Sequence, residues 1–166
     1  ADIMGFKEVI KPGAFQEVIE SPELDCKALI NHNPDKLLGR KKAGRPSNTL
    51  ELEEDQTGLK FRINPLPDTG PVNDLIENIE LGNIDQCSFG FIVDRDGENW
   101  EETPEGVSLR EIEKVASLED ISIVTYPAYS GTTVKVSQRA LNKIKSRTNI
   151  NIKQKELEIQ KLRKVF

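Results

Sequence analysis

The clearest strand pattern in the sequence reads Gln86-Cys87-Ser88-Phe89-Gly90-Phe91. In a β-strand, Cys87 and the two phenylalanines would share one face, while Ser88 and Gly90 would share the other. We expect the aromatic face to lie in the core. Ser88 then points to the opposite side, next to a glycine that allows another backbone or a substrate to approach closely.

Similar strand patterns occur on both sides of this stretch. Residues 49–54 and 59–64 alternate apolar and polar positions around Asp55-Gln56-Thr57-Gly58, which is typical of a hairpin. Residues 26–31, 108–115 and 120–126 are predicted to form three further strands, and the last is rich in β-branched residues.

Helical spacing occurs twice. Residues 13–20 place three apolar side chains on one face, and residues 72–79 place four apolar side chains at spacings of three and four before Gly82. The elements together predict an α+β domain with a mostly antiparallel β body flanked by helices.

Composition excludes several classes of protein. The chain has 166 residues, of which 36% are hydrophobic and 31% charged, so one domain with a sizeable core is expected. No stretch is apolar enough to predict a membrane span. Two cysteines and one histidine are too few for a disulfide framework or a four-ligand zinc site. There is no P-loop or dinucleotide fingerprint, and we expect neither a cofactor nor a metal.

Charge is distributed unevenly along the chain. Residues 139–166 contain nine Lys or Arg and two Glu, a net charge of +7, which leaves −12 for the rest of the chain because the total is −5. We therefore expect a domain over residues 1–137 and a basic tail over residues 138–166, helical or partly disordered. An acidic body is a poor general binder of nucleic acid, whereas the tail can bind an acidic partner.

Three residues could carry acid–base or nucleophilic chemistry. His32 is the only histidine, and it lies where a predicted strand meets a polar loop, residues 33–36. Histidine is the usual general base near neutral pH, although the position alone favours a structural or surface histidine. Ser88 alone could be an ordinary polar-face serine. Asp120, or Glu119 beside it, lies at the start of a predicted strand and could orient a histidine or simply be solvated.

Cys87 is a rival nucleophile, since a thiol is intrinsically more reactive than a hydroxyl. Its alternation with the phenylalanines predicts an inward side chain, where cysteine behaves as a small hydrophobe. The chain has no G-x-S-x-G motif. The residues by themselves leave catalysis by histidine, serine and aspartate open.

Several segments occur in a characteristic order between residues 7 and 133. They are Glu8-Val9-Ile10-Lys11-Pro12-Gly13-Ala14-Phe15, Asn31-His32-Asn33, Leu38-Gly39-Arg40, Asp55 with Gly58-Leu59, Asp68-Thr69, Asn73-Asp74, Ser88-Phe89-Gly90-Phe91, Trp100 and Asp120-Ile121-Ser122-Ile123-Val124-Thr125-Tyr126-Pro127-Ala128-Tyr129. In order and wording they resemble the tailed-bacteriophage prohead (capsid maturation) protease family, which shares a fold with the herpesvirus assemblin proteases.

The resemblance implies a β-barrel-like body and a set of catalytic residues. The nucleophile of the family falls on Ser88 and its base falls on His32. The third member must be an acid here, because the second histidine of the herpesvirus enzymes has no counterpart in this chain. The acid of the family falls on Asp120, with Glu119 as the alternative. The loop at residues 127–129 is a candidate source of oxyanion-hole donors. Relatives open with a strand of the type G-Y-A-x-V-F, which is missing before Gly5, so an exposed sheet edge is expected.

The resemblance also implies a role. Such a serine endopeptidase cleaves scaffold or the scaffolding arm of the major capsid protein, and itself, inside the viral prohead in the host cytoplasm. The expected partners are the major capsid protein and a second copy of the chain, with no membrane and no specific nucleic acid. The alternative is a non-catalytic capsid assembly or scaffolding factor, suggested by the opposite charges of body and tail.

Overall fold

The computed structural model describes residues 2–3, 6–129 and 131–137, together with Asn142, Ser146, Lys153 and Gln154. The chain divides into two units, Ala1–Val134 and Lys135–Phe166. The predicted basic tail, residues 138–166, lies outside the described residues except at the four single positions, each of which is helical.

Strands dominate the described residues, with two helices between them. In chain order the elements are β1 (Asp2–Ile3), β2 (Phe6–Ile10), α1 (Gln16–Glu20), β3 (Asp25–Ile30), β4 (Asn33–Lys42), β5 (Leu50–Asp55), β6 (Gly58–Ile63), α2 (Gly70–Glu80), β7 (Gln86–Val93), β8 (Glu98–Glu102), β9 (Ser108–Ile112) and β10 (Val115–Val124). The α+β class is confirmed. The predicted hairpin is β5 and β6, and the two predicted helices are α1 and α2.

The strands form two four-stranded sheets and a separate hairpin. The first sheet has the order β1-β2-β9-β8, the second has the order β4-β3-β10-β7, and β5 pairs with β6. Five pairings are antiparallel, whereas β2 with β9 and β3 with β10 are parallel. The predicted barrel-like body is wrong for the described residues, because both sheets end in edge strands and no ladder joins the edges into a closed ring.

The strands fall into two sheets because the chain crosses from one sheet to the other twice, and both crossings lie at one corner. β7 continues into β8 through residues 94–97, and β9 continues into β10 through residues 113–114. The two crossings are bonded to each other, since the Asp94 N–H donates to the Lys114 carbonyl at 3.0 Å and the Glu113 N–H donates to the Gly97 carbonyl at 2.8 Å. A Cβ on Gly97 would lie 2.4 Å from the Lys114 carbonyl oxygen, so only glycine fits this corner.

Three features of the strands differ from the sequence prediction. Residues 33–36, predicted to be a loop, begin β4, and β2 and β8 were not predicted. All five residues of β8 are exposed, and β4 is mostly polar, so neither shows an apolar alternation. Asp120, predicted at a strand start, lies in the interior of β10.

The aromatic face of β7 packs against Phe15, the residue before α1. It was expected to lie in the core, but Phe89 and Phe91 are only half-buried, and Ser88 on the opposite face is the buried residue of the strand. The Phe15 ring meets the Phe89 and Phe91 rings edge to face, with centroids 5.4 and 6.1 Å apart, and Phe15 is itself buried. Tyr129 stacks on Phe89 from the segment after β10. These contacts turn the opposite face of β7, which carries Ser88, toward the candidate site.

Candidate active site

The turn between β3 and β4 holds the histidine. Asn31 and His32 both have left-handed backbones, with φ of 51° and 54°. The conformation is uncommon outside glycine, and histidine enters it less readily than asparagine. β10 clamps the turn, because the Asn31 N–H donates to the Ile123 carbonyl and the Thr125 N–H donates to Asn31 Oδ1, both at 2.9 Å.

His32 is hydrogen-bonded to Asp120. The distance from His32 Nδ1 to Asp120 Oδ1 is 2.8 Å, and the two side chains are 43% and 16% exposed. A carboxylate at Nδ1 favours the tautomer that carries its proton there, and it stabilises the imidazolium when the ring takes a second proton. Nε2 remains available to a different partner.

A bulge in β10 brings Asp120 to this side of the sheet. Leu118 pairs opposite Phe91 and Asp120 pairs opposite Gly90, so Glu119 is an extra residue without a counterpart in β7. Without the bulge, Asp120 would share the face of Leu118. The extra residue shifts the alternation, and Asp120 falls on the face of Gly90 instead.

The absence of a side chain at Gly90 makes room for the carboxylate. A Cβ at this position would lie 2.6 Å from Asp120 Oδ2, which is closer than non-bonded atoms can approach. The glycine of the Ser88-Phe89-Gly90-Phe91 segment therefore accommodates the acid, rather than only a substrate as its position in the sequence suggested.

Ser122 connects the histidine and the acid, and the sequence did not single it out. Its hydroxyl donates to Asp120 Oδ1 at 2.5 Å and accepts the His32 backbone N–H at 3.1 Å. The residue is 0% exposed. The available signal was a polar residue two positions after Asp120, between the isoleucines of the apolar end of β10.

Ser88 lies beside this network. It pairs directly opposite Ser122 across β7 and β10, so Ser88, Gly90, Asp120 and Ser122 share one face. Side chains opposite each other in such a pair have Cβ atoms roughly 5 Å apart. Ser88 is 5% exposed. Among the described residues, the hydrogen bonds of His32 do not include one to Ser88.

The alternative acid is placed differently. Glu119 is exposed, and its carboxylate accepts a hydrogen bond from the Ser117 hydroxyl. The structure thus brings Asp120, rather than Glu119, to the ring of His32.

The cysteine side chains are poorly suited to nucleophilic attack. Cys87 lies on the aromatic side of β7, and burial raises the pKa of its thiol. Burial also raises the pKa of the Cys26 thiol to about 12. Because the thiolate is the reactive form, both shifts disfavour reaction near neutral pH.

The segment after β10 covers part of the free edge of β7. Thr132 Oγ1 accepts the Cys87 N–H at 3.1 Å and donates to the Cys87 carbonyl at 2.6 Å. The Val134 N–H donates to the Asp85 carbonyl at 2.8 Å. Beyond Cys87, this edge has no strand partner within the described part of the chain.

In the predicted oxyanion loop, residues 127–129, the Tyr129 side chain is held on the side of β7 away from Ser88. Tyr129 stacks on Phe89 with centroids 5.4 Å apart, and its hydroxyl donates to the buried Glu8 carboxylate. These contacts lie on the face of β7 opposite to Ser88.

Across the described positions, no group of three or more His, Cys, Asp or Glu side chains is arranged to hold a metal ion. None of the helices in the same positions has the length and apolarity needed to cross a bilayer.

Comparison with known proteins gives the family of the chain. The family model described as Caudovirus prohead serine protease matches residues 1–147. Searches of curated proteins and of solved structures each found no match. The chain therefore belongs to the prohead serine protease family of the tailed viruses. Membership implies a serine peptidase of capsid maturation that meets capsid proteins inside the viral capsid.

Proposed function

We propose that the chain is a serine endopeptidase with Ser88 as nucleophile, His32 as general base and Asp120 as the acid that orients it. The observation that carries the proposal is the hydrogen bond between His32 and Asp120 on the face of the sheet that also carries Ser88. An imidazole held at Nδ1 by a carboxylate, with a serine on the strand that pairs with the strand of the carboxylate, fits the arrangement used for acyl transfer.

The reaction follows from these positions. The Ser88 hydroxyl attacks the peptide carbonyl while its proton passes to His32 Nε2, and Asp120 stabilises the resulting imidazolium through Nδ1. The same proton then moves to the leaving amine as the C–N bond breaks, which leaves an ester on Ser88. Water, deprotonated by His32, releases the new carboxyl end. A Ser88–His32 contact that is absent before substrate binds is common in such sites.

The substrate fits the edge of β7. The part of this edge beyond Cys87 can pair with an extended peptide through main-chain hydrogen bonds. Pairing there places a peptide bond beside the strand that carries Ser88. An extended, flexible segment is what a scaffold or a scaffolding arm offers, so we assign these as substrates, together with the protease itself. We place the protease in residues 1–137 and give the basic tail, residues 138–166, a role in packaging or self-removal.

The test is coexpression with the major capsid protein, followed by intact mass measurement over time. Wild type and the matched control Ser108→Ala, which changes an exposed serine in β9, should shorten the capsid precursor and themselves. Ser88→Ala should leave every chain whole. Cleavage by Ser88→Ala at the wild-type rate would show that Ser88 is not the nucleophile.

Two alternatives give different results in the same experiment. A non-catalytic assembly factor, suggested by the −12 and +7 charges of the two parts of the chain, would assemble capsids without any cleavage in wild type. A cysteine hydrolase acting through Cys87 would lose activity on thiol alkylation and keep it in Ser88→Ala.

A further inference from the structure

A buried hydroxyl lies between the proposed acid and the proposed base. Ser122 is near the end of β10, with Leu29 of β3 on one side and Ser88 of β7 on the other. It is 0% exposed in a strand that is otherwise apolar around it. Buried polar groups require partners, so the bonds that this hydroxyl makes explain its place in the core.

Its two hydrogen bonds go to Asp120 and His32, the two residues whose relative position the proposed mechanism requires. The proton of the hydroxyl goes to Asp120 Oδ1 at 2.5 Å, and the oxygen accepts the His32 backbone N–H at 3.1 Å. Asp120 Oδ1 is the same oxygen that lies 2.8 Å from His32 Nδ1. The three residues thus form a closed ring of contacts, in which Ser122 joins the main chain of the base to the side chain of the acid.

The backbone of His32 needs this support. With φ of 54°, His32 is in the left-handed region, which few residues other than glycine adopt, although histidine enters it more often than most. The bond to Ser122 is one of the contacts with β10 that hold the turn in place. If this hydrogen bond is lost, the imidazole of His32 can leave the position in which its Nδ1 meets Asp120.

We infer that Ser122 is a positioning residue, which fixes His32 and Asp120 relative to each other for the reaction at Ser88. The inference rests on the proposed function. Ser122 is buried beneath the site, so its loss should lower kcat and leave KM nearly unchanged. Misplacement of a catalytic group by about 1 Å can reduce a rate on the order of 100-fold.

The first measurement is labelling of the full chain by a fluorophosphonate probe. The Ser88 oxygen forms a bond to phosphorus, the P–F bond breaks, and the Ser88 proton passes to His32. We expect Ser122→Ala to lower the labelling rate about 10- to 100-fold. Ser122→Thr, which keeps the hydroxyl, should remain within about threefold of wild type, and Ser122→Cys, a poorer donor, should fall between them.

The second measurement is nitrogen-15 NMR of the imidazole, which needs no assignment because His32 is the only histidine. Wild type should show one tautomer with the proton on Nδ1, and Ser122→Ala should show averaged tautomers. Should Ser122→Ala fail to fold, the Thr and Cys variants give the same comparison. Equal labelling rates and equal imidazole signals for Ser122→Thr and Ser122→Cys would overturn the inference.

The two proposals fail in different ways. If Ser88→Ala blocks labelling while Ser122→Ala retains the wild-type rate and ring signals, the positioning role is wrong and the proposed function stands. If Ser88→Ala is labelled like wild type, the proposed function is wrong, and unchanged ring signals in Ser122→Ala would still overturn the link from Ser122 to His32.

Discussion

At the scale of single residues, the candidate site depends on two backbone conditions. Gly90 leaves space for the Asp120 carboxylate, and the turn at Asn31 and His32 stays left-handed. Neither condition concerns a group that reacts. Both determine whether the imidazole and the carboxylate can meet at 2.8 Å.

Gly90→Ala should reduce activity far more than stability. The new Cβ would push the Asp120 carboxylate away from its present position, 2.6 Å from the site of that Cβ. A short side chain can move at small cost, but the bond to His32 would be lost. We expect a 10- to 100-fold fall in kcat, measured beside Gly70→Ala as control, where an added Cβ meets nothing within 4 Å. Equal activity of the two variants would contradict this explanation.

Asn31→Ala and Asn31→Gly separate the two roles of the turn. Both remove the bond from the Thr125 N–H to Asn31 Oδ1. Only alanine also opposes the left-handed backbone, at a cost of about 1–2 kcal/mol. Urea denaturation should therefore rank the free energy of unfolding as wild type, then Asn31→Gly, then Asn31→Ala. A more stable alanine variant would refute the conformational argument.

At the scale of elements, an irregularity in β10 and a corner set the geometry. The bulge at Glu119 aims Asp120 toward the face of Ser88, whereas Leu118 remains on the aromatic face. At the corner around Gly97, two strands of the second sheet, β7 and β10, connect to β8 and β9 of the first sheet. The same two strands thus carry the site and connect the sheets.

Gly97→Ala should destabilise the fold. Its Cβ would lie 2.4 Å from the Lys114 carbonyl oxygen, and backbone cannot yield as a side-chain end can. Overpacking of this kind costs about 1–3 kcal/mol. Thermal and urea unfolding of Gly97→Ala and Gly70→Ala should show the loss only in the former. Wild-type stability of Gly97→Ala would mean that the two crossings do not hold each other in place.

At the scale of the whole described body, a buried polar cluster joins the first sheet to the segment after β10. The Glu8 carboxylate of β2 receives hydrogen bonds from Tyr129 and from Arg110 of β9, the latter at 2.8 Å. Tyr129 in turn stacks on Phe89 of the second sheet. Burial and the Glu8 carboxylate raise the pKa of Tyr129.

This cluster should make stability fall at alkaline pH. The folded state keeps the Tyr129 proton above the unfolded pKa of about 10, whereas the unfolded chain releases it, so the free energy of unfolding decreases as pH rises past 10. Tyr129→Phe should lose about 1–3 kcal/mol at pH 7, because Glu8 loses a donor. The difference between wild type and this variant should shrink between pH 9 and 11.

Spectroscopy isolates the group responsible. The chain has two tyrosines, so in a Tyr126→Phe background the tyrosinate absorbance reports Tyr129 alone. If the tyrosinate absorbance of the folded protein rises near pH 10, burial and Glu8 do not keep Tyr129 protonated, and the explanation is wrong.

Much of the candidate site could be anticipated from local pattern. Alternation in residues 86–91 placed Ser88 on the face away from the phenylalanines, and the same rule applied from residue 120 onward gives Asp120 and Ser122 a common face. The meeting of His32 with Asp120 could not be anticipated in this way, because it depends on the parallel pairing of β3 with β10. Contacts between distant segments leave no periodic trace in either one.

Periodicity and an ordered set of local segments were enough to predict the α+β class, the two helices, the hairpin and the family. The division into two sheets, the bulge that turns Asp120 toward His32, and the burial of Ser122 between them are visible only in the folded chain. Alternation specifies which residues of a strand share a face, whereas register, bulges and polar contacts across strands arise only when separate segments pack together.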